Sequence, residues 1–386
     1  MHTFRRVRTR FWLVGMVSAL VLGTAGVLAV PWLCGGALCV QSVNTAANLD
    51  PQFGVEPGWS LTNLTSAQLT SRLAGVKKLG VTWVRFDVDW AVVQPNGPAS
   101  YNWTAYDRVA AAIKVAGLKG LGVIDYSPAW AQSSGPRGTQ TPPANDAQYA
   151  AFAGAVAGRY APQGLHAWEI WNEPNWTDFW PSAPNPAAYT ALLKQAYVAI
   201  HKANPYAAVI AAGLSGTGSS GDDIAATTFL NGMYAAGAKG YFEAIAMHPY
   251  TFPLLASDAM AGSWQELPAL HKIMEKNGDG WKKIWITEYG APTSGAGIGA
   301  AEAGTQDDRG GVDHVSESAQ ADIVTAAVKA YESLSYAGPF FWYDYQDSSA
   351  VGPSQPNAEM SYGLVRADGT PKPAYAAYQK AIAAAK

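Results

Sequence analysis

Eight short apolar segments, most of them followed by a stretch with helical spacing, run from about residue 53 to the end of the chain, and this alternation limits the fold more than any other feature. The segments are FGVE (53–56), WVRFDVDW (83–90), GLGVIDY (120–126), AWEIWNE (167–173), AVIAAG (208–213), EAIAMHPY (243–250), KIWITEY (283–289) and PFFWYDY (339–345). They are rich in β-branched and aromatic residues, and several are nearly continuous in apolarity, as strands covered on both faces must be. In SAQLTSRLAGVKKLG, Leu69, Leu73, Val76 and Leu79 fall at helical spacing and Gly80 sits where a helix stops. TAYDRVAAAIKVAG opens with Thr104 and Asp107 in capping-box spacing and closes at Gly117. Further helices are expected at 146–160, 186–203, 263–277, 316–335 and 373–384. Eight strands at intervals of about 30 to 55 residues, with helices between, imply an α/β fold, a (β/α)₈ TIM barrel. A doubly wound open sheet alternates the same way, but no glycine-rich phosphate-binding turn follows any strand.

The barrel is expected over 53–386, after a connector at 33–52 and an N-terminal segment at 1–32. That segment pairs a basic head, MHTFRRVRTR, with the uncharged run Phe11 to Val30. Such an order is read as a signal peptide or an N-terminal membrane anchor, long enough for a single span through residues 11–30. Export is therefore expected, with the rest of the chain secreted or held at the outer face of the membrane. Cys34 and Cys39 follow the run and could close a small disulfide loop in an oxidising compartment. A net charge of −3 with 14% charged residues offers no field for nucleic acid or anionic lipid, so neither is expected as a partner. The unusual component is aromatic, 15 Trp and 19 Tyr. Most of these rings serve core packing, but a ring face also packs against the C–H face of a pyranose. The sequons at Asn63, Asn102 and Asn175 are short enough to arise by chance.

If the barrel closes, the carboxyl ends of its strands bring a small polar set to one rim, the face on which barrel enzymes build their sites. Arg85 comes from the second strand, Asn172 and Glu173 from the fourth, His248 and Tyr250 from the sixth, Glu288 from the seventh and Trp342 from the eighth.

The motifs around these residues carry a resemblance. WNEPN (171–175) and ITEYG (286–290) resemble the acid/base and nucleophile signatures of the retaining glycoside hydrolases of the (β/α)₈-barrel clan, clan A, in particular its cellulase-like and β-xylosidase-like families 5 or 39. SYGLVRADGTPKPAYAAY (361–378) is similar to the closing segment of such members. The resemblance implies a polysaccharide or oligosaccharide substrate, no cofactor and no metal, and a monomer. It implies Glu173 as acid/base and Glu288 as nucleophile, with Arg85 and Tyr250 keeping Glu288 ionised. It further implies that Asn172 bonds the sugar 2-hydroxyl, that His248 orients the polar network, and that Trp342 forms a floor for the sugar being cleaved. Retention needs the two carboxyl groups about 5 to 5.5 Å apart, one protonated and one ionised. The tryptophans beside Glu173 are expected to disfavour its anion.

Other polar residues have plainer readings. Glu169, four residues before Glu173, is read as a structural carboxylate, and Asp87 and Asp89 as ion-pair or hydrogen-bond partners. Asp125 and Asp344 at strand ends could bond sugar hydroxyls. Trp130, Trp176 and Trp180 lie where sugar subsites form but serve equally well in a core. His166 precedes its strand and faces the other end of the barrel. The same catalytic residues would serve a transglycosylase, and a carbohydrate-binding barrel without catalysis is a further alternative. Glucan, xylan, mannan, galactan and furanoside substrates all stay open. Exo or endo action is expected to depend on the glycine-rich loops at 213–223 and 294–311.

Overall fold

The computed structural model describes residues 33–34, 37–38, 52–58, 61–132, 138–181, 183–216, 218, 221–258, 262–295, 302–304, 313–348 and 357–385. The apolar run at 11–30, the side chains of Cys34 and Cys39 and most of the 294–311 loop lie outside the described residues. Among the described residues no helix is long and apolar enough to cross a membrane. Leu33–Cys34 and Ala37–Leu38 pair as a two-stranded antiparallel unit.

Eight parallel strands close into a barrel in chain order. They are β1 (Phe53–Val55), β2 (Trp83–Asp89), β3 (Lys119–Asp125), β4 (Ala167–Asn172), β5 (Ala208–Ser215), β6 (Ala244–His248), β7 (Lys283–Tyr289) and β8 (Ala337–Trp342). Closure runs through β8 and β1, where Phe340 pairs with Phe53 and Trp342 with Val55. The strands alternate with α1 (Ser66–Lys78), α2 (Thr104–Ala116), α3 (Asp146–Tyr160), α4 (Pro186–Ala203), α5 (Ala226–Ala235), α6 (Gly262–Lys276), α7 (Glu317–Glu332) and α8 (Pro373–Ala384). This is the expected (β/α)₈ barrel.

Local chemistry explains most boundaries. Helix α1 starts at Thr65, whose hydroxyl accepts from the Gln68 amide while the Gln68 side chain returns a bond to the Thr65 amide. It ends at Leu79, and Gly80 follows with φ of 95°, as its position predicts. Gly117 likewise ends α2 in a left-handed turn. The expected cap at Thr104 does not form, because Thr104 is already helical and the preceding Trp103 makes no side-chain cap. Asp107 instead receives the Arg159 guanidinium, with one bond of 2.7 Å. The reading from sequence also misses α5. Its segment ATTFLNGMYA holds two β-branched threonines and a glycine and starts at Ala225 without a side-chain cap, so its local signals are weak. Burial of Phe229, Leu230 and Met233 against the barrel holds the helix in place.

Two layers fill the barrel. Leu121, Ala167, Ile210, Ala244, Ala246 and Phe341 form an apolar plug inside it. Gly54 makes room for that plug, since a Cβ there would stand 2.4 Å from the Phe341 ring. Nearer the carboxyl ends of the strands, the same inward positions carry Arg85 and Glu169, both buried. The plug thus ends where a polar layer begins, and the site rests on that layer. Phe341→Ala should cost roughly 3–5 kcal/mol, through lost burial and the cavity left in a closed barrel. Urea unfolding followed by tryptophan fluorescence measures it, and a loss under about 1 kcal/mol would show that the plug collapses to fill the gap.

Candidate active site

At the carboxyl ends of the strands lies a cleft of about 1020 Å³. Arg85, Asn172, Glu173, His248, Tyr250 and Glu288 line it, together with Glu56, Asp87, Tyr126, Trp176, Phe179, Phe252, Tyr343 and Tyr362. Six of the seven residues singled out from the sequence therefore meet in one place.

Trp342 does not. It is fully buried, packs against Tyr289 and against Tyr378 of α8, and donates its indole N–H to the Tyr362 carbonyl at 3.2 Å. Side chains alternate along β8: Phe341 enters the barrel, Trp342 faces the helices, and Tyr343 returns to the cleft. The position expected for Trp342 thus belongs to Tyr343.

The stretch at β4 departs from simple alternation. Trp168 packs on Tyr160 of α3, and Trp171 on Tyr149, Trp180 and Tyr126. Trp171 has φ of 67° and Glu173 φ of 42°, left-handed values that non-glycine residues rarely adopt. That twist breaks the alternation, so Asn172 joins Glu169 on the inward side, where both bond Arg85. Strain of this kind costs about 1–3 kcal/mol per residue and persists where surrounding structure enforces it. Trp168 and Trp171 therefore serve the helix layer, whereas Trp176 lines the cleft, and burial is what disfavours the Glu173 anion.

Arg85 is 2% exposed and divides its donors among four acceptors. Nε donates to Glu169 Oε2 at 3.1 Å, Nη2 to Asn172 Oδ1 at 2.8 Å, and Nη1 both to Glu56 Oε2 at 3.0 Å and to Glu288 Oε1 at 2.6 Å. Tyr250 donates to the other Glu288 oxygen at 2.8 Å. Glu288 is thereby held at both oxygens. A guanidinium can only donate, so the Asn172 carbonyl must face it and the amide NH₂ is turned elsewhere. His248 Nδ1 lies 2.8 Å from Glu173 Oε1 and 3.6 Å from Glu288 Oε2. Gly213 permits this packing, since a Cβ there would stand 2.1 Å from His248 Nε2.

The two glutamates titrate in opposite directions. Burial raises the Glu288 carboxyl, but His248, Arg85 and the Tyr250 hydroxyl outweigh it and hold the group below the usual carboxylate range. Burial also raises Glu173, His248 opposes, Glu288 adds to the rise, and the group ends above the usual range. Carboxylate oxygens of the pair come within 4.8 Å of one another, and His248 lies within the same distance. These three could in principle surround a cation. The Arg85 guanidinium at 2.6 Å from Glu288 already supplies positive charge there and would repel one.

The remaining candidates separate. Asp89 caps the short helix Trp90–Val93, accepting from Ala91 at 2.7 Å. Asp125 and Asp344 are buried and absent from the cleft lining, so neither is placed to meet a ligand there. Trp130 donates to the Gln94 carbonyl at 2.6 Å and packs on Trp90, Trp180 is buried, and Trp176 lines the cleft. His166 contacts Asn204 before β5, away from the rim. Glu56, Thr287 and Tyr343 were not singled out from the sequence. FGVE ends on an acid at the tip of a strand, which was the one available signal for Glu56.

A family model described as cellulase (glycosyl hydrolase family 5) matches residues 44–325. Among solved structures, a family 39 glycoside hydrolase from the gut symbiont Bacteroides cellulosilyticus WH2 is 23% identical, with a TM-score of 0.66 over 86% of this chain and 64% of its own. A monomeric β-xylosidase from Caulobacter crescentus CB15 is 18% identical, with a TM-score of 0.60 over 86% of this chain and 67% of its own. An exo-β-1,4-mannosidase from Opitutaceae bacterium strain TAV5 is 19% identical, with a TM-score of 0.61 over 86% of this chain and 59% of its own. The chain thus spans less than two thirds of the first of these, and at such identities the likeness is one of fold. No curated protein matches the chain by sequence.

Asp87 gives a stability test of the cleft's electrostatics. Burial raises its carboxyl from 3.8 to about 6, with Arg85 opposing and Glu288 adding to the rise. The folded value exceeds the unfolded one, so the associated stability is present below pH 3.8 and is lost as pH rises through about 6. Asp87→Asn should therefore stabilise the protein at pH 7 by roughly 3 kcal/mol, with the gain vanishing near pH 3. Urea unfolding at both pH values checks this, and destabilisation at pH 7 would show that Arg85 dominates instead.

Proposed function

The chain belongs to glycosyl hydrolase family 5, and from that membership and the cleft's geometry we propose a retaining β-glycoside hydrolase acting by double displacement on a polysaccharide or oligosaccharide. One observation carries the reading: Glu173 and Glu288 bring carboxylate oxygens within 4.8 Å while their carboxyls are displaced in opposite directions. Inverting enzymes hold their carboxyl groups about 6.5–9.5 Å apart to admit a water, whereas retention needs direct attack across a shorter gap.

In the first step Glu288, ionised and fixed by Arg85 and Tyr250, attacks the anomeric carbon as Glu173 gives its proton to the departing oxygen. The glycosidic bond breaks and a glycosyl ester forms on Glu288. In the second step Glu173, now a carboxylate, takes a proton from water, which attacks the same carbon and releases Glu288. The Asn172 amide, turned from Arg85, serves the sugar 2-hydroxyl. Trp176 and Phe179, with Tyr343, Tyr362 and Phe252, offer aromatic faces for neighbouring sugars. The basic head and apolar run before residue 31 support export to the outer face of the membrane or beyond it, where such polymers lie. We take the working form to be a monomer.

Two variants test the reading on a panel of aryl β-glycosides. Glu288→Gln should abolish turnover, and Glu173→Gln should lose about 10²–10⁴-fold on substrates with poor leaving groups but far less on activated ones. Equal losses of Glu173→Gln across leaving groups would overturn its role as acid. Wild-type kcat/KM should follow a bell in pH, its acid limb below the usual carboxylate value and its basic limb above it. Both limbs follow from the directions in which Glu288 and Glu173 are displaced.

A further inference from the structure

A chain of hydrogen bonds leads from Glu173 away from the cleft and back to the other glutamate. His248 Nδ1 meets Glu173 at 2.8 Å, and His248 Nε2 meets the Thr287 hydroxyl at 3.0 Å. The Thr287 hydroxyl donates to Glu169 Oε1 at 3.2 Å, and the second Glu169 oxygen receives Arg85 Nε at 3.1 Å. Arg85 then binds Glu288. Glu169, Thr287 and His248 are buried, so no solvent stands in for a missing partner.

We propose that Thr287 and Glu169 are positioning residues that fix the tautomer of His248 and so confine its movable proton to the contact with Glu173. The argument rests on counting donors. A carboxylate paired with arginine only accepts, and Thr287 has one hydroxyl proton, which goes to Glu169. Thr287 therefore meets His248 Nε2 with a lone pair, and Nε2 must keep its hydrogen in every protonation state. Only Nδ1 is left to gain or lose a proton, and Nδ1 faces Glu173. Neutral His248 cannot then donate to a Glu173 carboxylate; its Nδ1 lone pair instead accepts a hydrogen bond from the protonated Glu173 carboxyl. Burial lowers His248, but Glu288 and Glu173 outweigh it and raise the imidazole above its usual range, so the neutral form belongs to the upper part of the pH range; in that form Glu173 keeps its proton until a substrate oxygen takes it. The charged groups facing His248 are Glu169 and Glu173 from β4, Glu288 from β7 and Arg85 from β2. None of these supplies an acceptor to Nε2 nearer than Thr287, since Glu169 lies 3.9 Å from it.

The role as a positioning pair rests on the hydrolase reading, but the tautomer can be read without turnover. Thr287→Val removes the acceptor while keeping the side-chain shape. Glu169→Gln should turn its carbonyl to Arg85 and its NH₂ to Thr287, so that the Thr287 proton points at Nε2. In both variants neutral His248 should carry its hydrogen on Nδ1 and donate it to the Glu173 carboxylate. That stabilises the ionised acid, so the basic limb of kcat/KM should fall by on the order of one pH unit. Thr287→Ser should return it.

Nitrogen-15 spectra of histidine-labelled full-length protein, with His248 assigned by comparison with His248→Asn, report the tautomer directly. The expected result is Nε2–H in the wild type and Nδ1–H in Thr287→Val. A wild type with Nδ1–H, or a Thr287→Val variant unchanged in tautomer, would overturn the inference. An unmoved basic limb in a folded, turning-over Thr287→Val enzyme would do the same. Should the wild type hydrolyse nothing, the hydrolase reading fails while the spectra still judge the tautomer.

Discussion

The guanidinium of Arg85 is the constraint on which the rest of this site depends. It sits just above an apolar plug, 2% exposed, and gathers Glu56, Glu169, Glu288 and Asn172 from three other strands. Removing such a charge from water is expensive, and its bonds to the carboxyl groups around it offset that expense only if each is well made. The geometry of β1, β4 and β7 at the rim is thus tied to one side chain of β2. Because the fork is rigid, a shift of the bond that holds Glu288 also shifts those that hold its neighbours.

The charge balance around Arg85 gives the site its working protonation. One arginine faces more carboxyl groups than it can neutralise, so burial and mutual repulsion push the surplus groups upward. Glu56 is raised well above the usual value and Glu173 is raised also, whereas Glu288, with His248, Arg85 and Tyr250 around it, goes the other way. Two glutamates of the same kind are separated in character by what surrounds them. The left-handed residues Trp171 and Glu173 belong to the same economy, since they turn the end of β4 so that Asn172 and Glu173 both enter the cleft.

Much of this was legible in the sequence because it depends on short-range pattern. Strand β7 falls on KIWITEY as expected, and the other strands lie within a few residues of their apolar segments. Glu173 and Glu288 were legible because each stands at a strand end in a motif with clear neighbours. Helix α5 was not, because its stability comes from the barrel it covers rather than from caps or propensity. Trp342 shows the limit at the rim. Its place in the chain puts it beside the cleft, yet the face it presents depends on where alternation begins and ends, and it is Tyr343 that reaches the site. The expected rise of Glu173 is found, with burial as its cause, but Trp168 and Trp171 pack toward the helices and only Trp176 reaches the cleft.

By itself, then, the sequence determined the order of strands and helices, the closed parallel barrel and the identity of two carboxyl groups at its rim, because periodicity and chain order are local properties. Only the tertiary structure decided how those groups differ. The bonds from Arg85 to Glu288 and from His248 to Glu173 span 203 and 75 residues. The linkage through Thr287 and Glu169 spans 118 more. Protonation follows from burial and from charges brought together across the barrel, and no stretch of sequence contains both ends of those contacts.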